Sequence, residues 1–136
     1  MDDLLKANAI AASGMKAQAT RLRVVSENLA NADSIAETPG GQPYRRKLVT
    51  FKNILDRQVG ADTVRVTKIV PDKSEFSKQY DPGHPAADAS GYVMKPNVNT
   101  LVEMMDMREA QRSYDANVAV ISTSKDMLKK TIDMLR

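Results

Sequence analysis

The chain has 136 residues, with 20 Lys or Arg against 17 Asp or Glu, a net charge of +3, and no Cys, no Trp, one His and eight Met. That composition excludes a disulfide framework, a thiolate nucleophile and any zinc motif built on two imidazoles, and the length fits one small domain. No apolar run reaches the roughly 18 residues of a membrane span. The start, Met1-Asp2-Asp3, is acidic, and Lys6 and Asn8 interrupt the apolar residues that follow. A secretory signal has the opposite pattern, so the expected chain is cytoplasmic or exported without a cleaved signal peptide.

Residues 2–32 contain no Pro and one Gly, and Met15, Leu22 and Leu29 recur at intervals of seven beside Leu4, Ala11, Val25 and Ala32. This stripe predicts a long amphipathic helix, interrupted at Gln18. Asn28 and Asn31 fall near its end despite the low helix propensity of Asn. They read either as a C-cap or as amides that hydrogen-bond across a helix seam and fix its register.

Residues 33–96 hold all six Pro and five of the six Gly. Turn punctuation at Thr38-Pro39-Gly40-Gly41 and Asp81-Pro82-Gly83-His84-Pro85 separates short strand patterns at 44–51, 63–70 and 76–80, with a further extended piece at 88–93. His84 lies near Asp81 and Asp88, but it reads as a turn histidine, not a metal ligand or general base. Arg45-Arg46-Lys47 is the one tight basic cluster. It reads as solvated surface, with a coiled-coil nucleic-acid binder as the rival.

Residues 97–135 repeat the helical pattern, with Met107, Tyr114, Ile121, Leu128 and Leu135 seven apart and Met104, Val118 and Ile132 extending the stripe. Pro96 precedes it, Asn97 or Asn99 is the expected N-cap, and Thr100 with Glu103 has capping-box spacing. Methionines crowd this part of the chain and suit an adaptable contact surface.

The expected fold is α+β, with an N-terminal helix in 1–34, a loop and small β region in 35–96 and a C-terminal helix in 97–136. Ordering two long helices costs about 1–2 kcal/mol of backbone entropy per residue. Ala- and Met-rich seams offset little of it in one chain, so marginal helix ends that order on assembly are expected. No motif supports catalysis, and no cofactor is expected.

Ser13-Gly14-Met15, Ala17, Arg21-Leu22 and Glu27-Asn28-Leu29-Ala30-Asn31-Ala32-Asp33-Ser34 closely resemble the N-terminal motif of bacterial flagellar basal-body rod proteins. The C-terminal partner motif is similar too: Pro96-Asn97-Val98-Asn99, Glu103-Met104, Met107, and Arg112-Ser113-Tyr114-Asp115-Ala116-Asn117-Val118. Gly41 to Lys47, Asp81 to Asp88 and Gly91-Tyr92-Val93 resemble segments of the family's short proximal-rod type. Asn8 and Ala9 stand where the family often carries Phe-Asp.

The resemblance implies terminal helices paired as a coiled coil that lines a helical tube, with the β region packed outside. It implies export through the flagellar type III apparatus and assembly in the periplasm above the inner-membrane ring. The implied partners are further copies of the chain, other rod proteins, that ring and the export apparatus, with no nucleic acid and no membrane insertion. The alternatives are a coiled-coil nucleic-acid-binding protein or another axial or secretion-system assembly subunit. The expected assembly interface comprises Met15, Leu22, Val25, Asn28, Leu29, Asn31, Asn97, Asn99, Met107, Tyr114, Asn117, Val118, Ile121 and Leu128.

Overall fold

A computed structural model describes residues 1–136. The elements are α1 (Asp2–Ala30), β1 (Lys47–Asp56), β2 (Ala61–Pro71), β3 (Ser77–Tyr80), β4 (Tyr92–Lys95) and α2 (Thr100–Met134). The layout is α+β, two terminal helices with a small antiparallel β region between them. No helix is long and apolar enough to cross a membrane.

Helix α1 runs unbroken because nothing between Asp2 and Ala30 removes a backbone donor, and Asp2 pairs with Lys6 at 2.9 Å across its first turn. It ends at Asn31, whose side-chain amide donates to the Glu27 carbonyl at 2.8 Å while the Ala32 amide turns back to Leu29 at 3.3 Å. Helix α2 starts on Asn99, whose Oδ1 accepts from the Leu101 amide at 3.1 Å and the Val102 amide at 3.4 Å. That satisfies two of the orphan donors of the first turn.

Strands β1 and β2 form a hairpin. Asp56 organises its turn, accepting from the Gln58 amide at 3.0 Å while Gly60 adopts φ +68°. Thr63 and Thr67 donate back to the Ile54 and Thr50 carbonyls at 3.1 and 3.2 Å. The first strand begins at Lys47, later than the sequence pattern suggests, because the Arg46 amide donates to the Asn97 side chain at 2.7 Å and not to a ladder. Strands β3 and β4 pair antiparallel, Ser77 opposite Lys95 and Tyr80 opposite Tyr92, whose rings meet edge-on at 5.3 Å. The extended piece expected over 88–93 becomes strand only from Tyr92. Asp88 Oδ1 instead caps a turn, accepting from the Ser90 and Tyr92 amides at 2.9 Å, and Gly91 turns at φ +83° against the Tyr80 ring.

The chain folds as two compact units. The first contains residues 1–22, 49–68 and 108–136. Its buried side chains are small: Ala11, Ala17, Thr63, Ala110 and Ser124. Within it Gly14 of α1 abuts Asn117 of α2 and Arg21 reaches Glu109 at 3.6 Å, so the two helix segments run antiparallel. The second unit contains residues 23–48 and 69–107. It buries Val24, Val25, Ala86 and Val93 around two polar side chains, Asn28 and Glu103.

Candidate assembly site

Asn28 lies in the last part of α1 and is 1% exposed. Its Nδ2 donates to the Lys47 carbonyl at 2.9 Å and to Glu103 Oε2 at 3.2 Å. Its Oδ1 accepts from the Lys47 amide at 3.0 Å and the Tyr44 hydroxyl at 2.8 Å. One amide therefore fastens the end of the long loop and the start of β1 to both helices. A buried amide is stable only when its hydrogen bonds are made, and here they are.

Glu103, in the first turns of α2, has no exposed surface. Arg46 supplies the compensating charge, its Nε donating to Glu103, and the same guanidinium reaches Asp72 at 3.3 Å and Asp106 at 3.5 Å. Burial works to lower the Arg46 pKa, but Glu103 and Asp72 outweigh it and the net shift is upward. Asp72 is held below the usual carboxylate range, chiefly by the Ser74 backbone amide, with burial opposing and Arg46 contributing. Tyr44 is raised, first by burial and then by the nearby Glu27 charge, so its hydroxyl stays a donor. Asn97 completes the knot: its Oδ1 takes the Arg46 amide, and its Nδ2 donates to the Asp72 carbonyl at 3.1 Å and the Ser74 carbonyl at 3.2 Å.

The basic cluster is therefore not the solvated surface that the sequence suggests. Arg45 stacks on the Phe76 ring at 4.2 Å and donates to the Asp72 and Ser74 carbonyls at 2.7 and 3.0 Å. Arg46 serves Glu103, and Lys47 pairs with Glu27. That pair holds Glu27 down and Lys47 up, in each case mainly through the hydrogen bond between them. The three cations fold onto carboxylates, carbonyls and a ring, which leaves the nucleic-acid reading without its basic patch. Glu103 likewise serves Arg46 and Asn28, not the capping box that its spacing to Thr100 suggests. His84 Nδ1 accepts from the Ala86 amide at 3.0 Å, which makes it part of its turn. No three His, Cys, Asp or Glu side chains gather as a metal site.

The residues named from the sequence are dispersed. Val25 and Asn28 are buried; Met15, Leu22, Leu29, Met107, Tyr114, Ile121 and Leu128 are half-buried; Val118 is 42% exposed. Asn28 and Asn97 join the knot, whereas Asn31 and Asn99 cap their helices, and Asn117 donates to the Ser113 carbonyl at 3.0 Å and lies against Gly14. Sequence reasoning missed Tyr44, Arg46, Asp72 and Glu103. One signal for Glu103 was present: the inner face of α2 is the heptad Glu103, Ala110, Asn117, Ser124, Thr131, of which Glu103, Ala110 and Ser124 are buried. Long apolar residues lie outside it, with Met104, Met105, Val120, Met127, Ile132, Met134 and Leu135 all exposed.

A family described as "Flagella basal body rod protein" matches residues 9–34, and one described as "Flagellar basal body rod FlgEFG protein C-terminal" matches 89–134. Among full-length relatives, the flagellar basal-body rod protein FlgC of Agrobacterium fabrum is 55% identical over 136 residues, covering 100% of this chain and 98% of the relative. FlgC of Salmonella typhimurium is 44% identical over 127 residues, 92% of each chain. FlgC of Bacillus subtilis is 42% identical over 140 aligned positions, covering 92% of this chain and 93% of the relative. The paired end motifs, the terminal helices and similarity along the whole chain agree: the chain belongs to the FlgC family of flagellar basal-body rod proteins, structural subunits of the rod and not enzymes.

Proposed function

We propose that the chain polymerises through α1 and α2 into a helical tube that carries motor torque across the periplasm, its terminal helices pairing as a coiled coil. In this reading 1–34 and 97–136 form the inner wall and 35–96 the outer layer. Export proceeds through the flagellar type III apparatus without a cleaved signal peptide. The partners are further copies, other rod proteins, and the inner-membrane ring on which the rod stands. The observation that carries the reading is the exposed apolar side chains of α2: Val118, Val120, Met127, Ile132, Met134 and Leu135 are each at least 42% exposed, and three of them, Val120, Met127 and Met134, form one row at intervals of seven. A row of exposed apolar residues along one side of a helix is the kind of surface that marks an interaction site.

Of the residues proposed for the interface, Leu22, Leu29, Tyr114, Ile121 and Leu128 bury seams within and between subunits. Met15, Val25 and Met107 extend those seams, and Val118 faces a neighbour outright. Asn28, Asn31, Asn97, Asn99 and Asn117 fix the local geometry that presents them. Val118→Asp tests the reading cleanly, because the side chain is exposed in the single chain and its loss leaves the fold intact. Cells carrying it are expected to make normal amounts of protein but no rod above the inner ring and no swimming, as are cells with Leu29→Asp or Tyr114→Asp. Normal basal bodies in all three strains would reject it.

A further inference from the structure

In the first unit a groove of about 470 Å³ runs between α1 and the tip of the hairpin. Ala9, Ala17, Val59 and Val66 contribute apolar walls, and the Ser13 hydroxyl, accepting from the Val64 amide at 3.2 Å, closes its floor. Three charges border it. Lys16 is exposed, and Arg65 pairs loosely with Asp56 at 3.7 Å. The rim thus reads as two cations about one acid.

The same unit carries a ridge of matching chemistry. Val120, Met127 and Met134 stand seven apart on α2 and are 44%, 52% and 80% exposed. Asp126, Lys130 and Asp133 lie on one flank of that ridge, exposed, reading as two acids about one cation. Successive ridge residues are ~10.5 Å apart along the helix, and the α1 wall from Ala9 to Thr20 spans ~16 Å. The two methionine side chains, at four heavy atoms each and roughly 30 Å³ per atom, need about 240 Å³. The groove therefore admits both, and the flexible thioether fills irregular space well.

We propose that this groove receives the Met127–Met134 part of that ridge from a second copy of the chain. The inference rests on the polymer reading above and names one of its contacts. Groove and ridge are different surfaces, so the contact is heterologous and propagates instead of closing into a dimer, as a tube requires. Charge complementarity selects the copy and its orientation: Asp126 and Asp133 meet Lys16 and Arg65, and Lys130 meets Asp56.

The chain has no cysteine, which makes a direct test possible. Two versions are co-expressed in cells lacking the parent gene, one Thr20→Cys and the other Met127→Cys, and basal bodies are isolated under mild oxidation. A disulfide-linked dimer is expected at on the order of tenfold the yield of a control in which Gln111→Cys, on the opposite face of α2, replaces Met127→Cys, as holding two thiols together raises their effective concentration. In parallel, Asp133→Lys and Lys16→Glu should each impair swimming, and the double reversal should restore it. Basal bodies that contain the chain but show no excess of the Thr20–Met127 dimer overturn this contact and leave the rod reading standing. Basal bodies that never contain the chain overturn both.

Discussion

Glu103 has no exposed surface and pairs with Arg46, so its energetics depend on that guanidinium. Removing one member of a buried ion pair leaves the other unsolvated and is destabilising by about 3–5 kcal/mol, whereas replacing both with apolar groups is often neutral. Arg46→Met is therefore expected to lower the urea midpoint sharply, and Arg46→Met with Glu103→Leu to recover much of the loss. Recovery will be incomplete, because Asn28 also donates to Glu103 and Arg46 also serves Asp72. A double variant no more stable than the single would show that the pair does not act as a unit. At this scale the sequence was half legible. Asn28 stood out as an Asn in a good helix, but nothing local marks Arg46 as its neighbour. The knot joins residues from α1, the loop before β1, the segment after β2 and α2, and a charge run reads the same whether it faces water or a buried carboxylate.

Among the elements, the helices follow their sequence closely, because a period of seven over four turns or more is a strong signal and Asn31 and Asn99 mark where one ends and the other begins. The face that is buried does not follow. The apolar stripe pointed to Met107, Tyr114, Ile121 and Leu128, and these are only half-buried; the innermost seam holds Ala110, Ser124 and the Gly14–Asn117 contact. Small residues let helices approach closely, and long ones are displaced to the flanks, an outcome that hydrophobicity alone does not encode. A Cβ at Gly14 would sit 2.8 Å from Asn117 Nδ2, an amide already committed to the Ser113 carbonyl. Gly14→Leu should therefore destabilise by about 1–3 kcal/mol, the usual penalty for overpacking. Gly14→Ala combined with Asn117→Ala should be at least as stable as the parent, because the clash is gone and Ala is favoured over Gly in a helix by about 1 kcal/mol. Thermal melts of the two variants separate these outcomes. Equal stability of Gly14→Leu and the parent would mean the helices are not held at this distance.

For the molecule as a whole, the pH dependence of stability is expected to come chiefly from the second unit, where the shifted carboxylates Glu27 and Asp72 sit in side-chain networks, whereas Asp2, the shifted carboxylate of the first unit, is 80% exposed beside Lys6 at the start of α1. Glu27 and Asp72 both have depressed pKa values, Glu27 chiefly through its hydrogen bond to Lys47 and Asp72 chiefly through the Ser74 amide. When a carboxylate is easier to ionise folded than unfolded, its stabilisation is complete above the unfolded value, near 4, and is lost as pH falls through the folded value. The raised groups act in the other direction. Lys47, Arg46 and Tyr44 contribute fully below their unfolded values, and that contribution disappears only as pH rises through the folded ones, beyond about 10. The urea midpoint is thus expected to be flat from about pH 5 to 9 and to fall on acidification below about 4. Asp72→Asn and Glu27→Gln should each make the acid limb shallower while lowering the plateau, since each gives up at neutral pH what the parent loses in acid. Hydrogen exchange at pH 4 and pH 7 locates the effect: protection of the amides near Val24, Asn28 and Lys47 should fall with pH after correction for intrinsic rates, while the first unit, whose buried side chains Ala11, Ala17, Thr63, Ala110 and Ser124 are all uncharged, should respond less. A midpoint that holds steady to pH 3, or an acid response confined to the first unit, would show that the knot is not the acid-sensitive element.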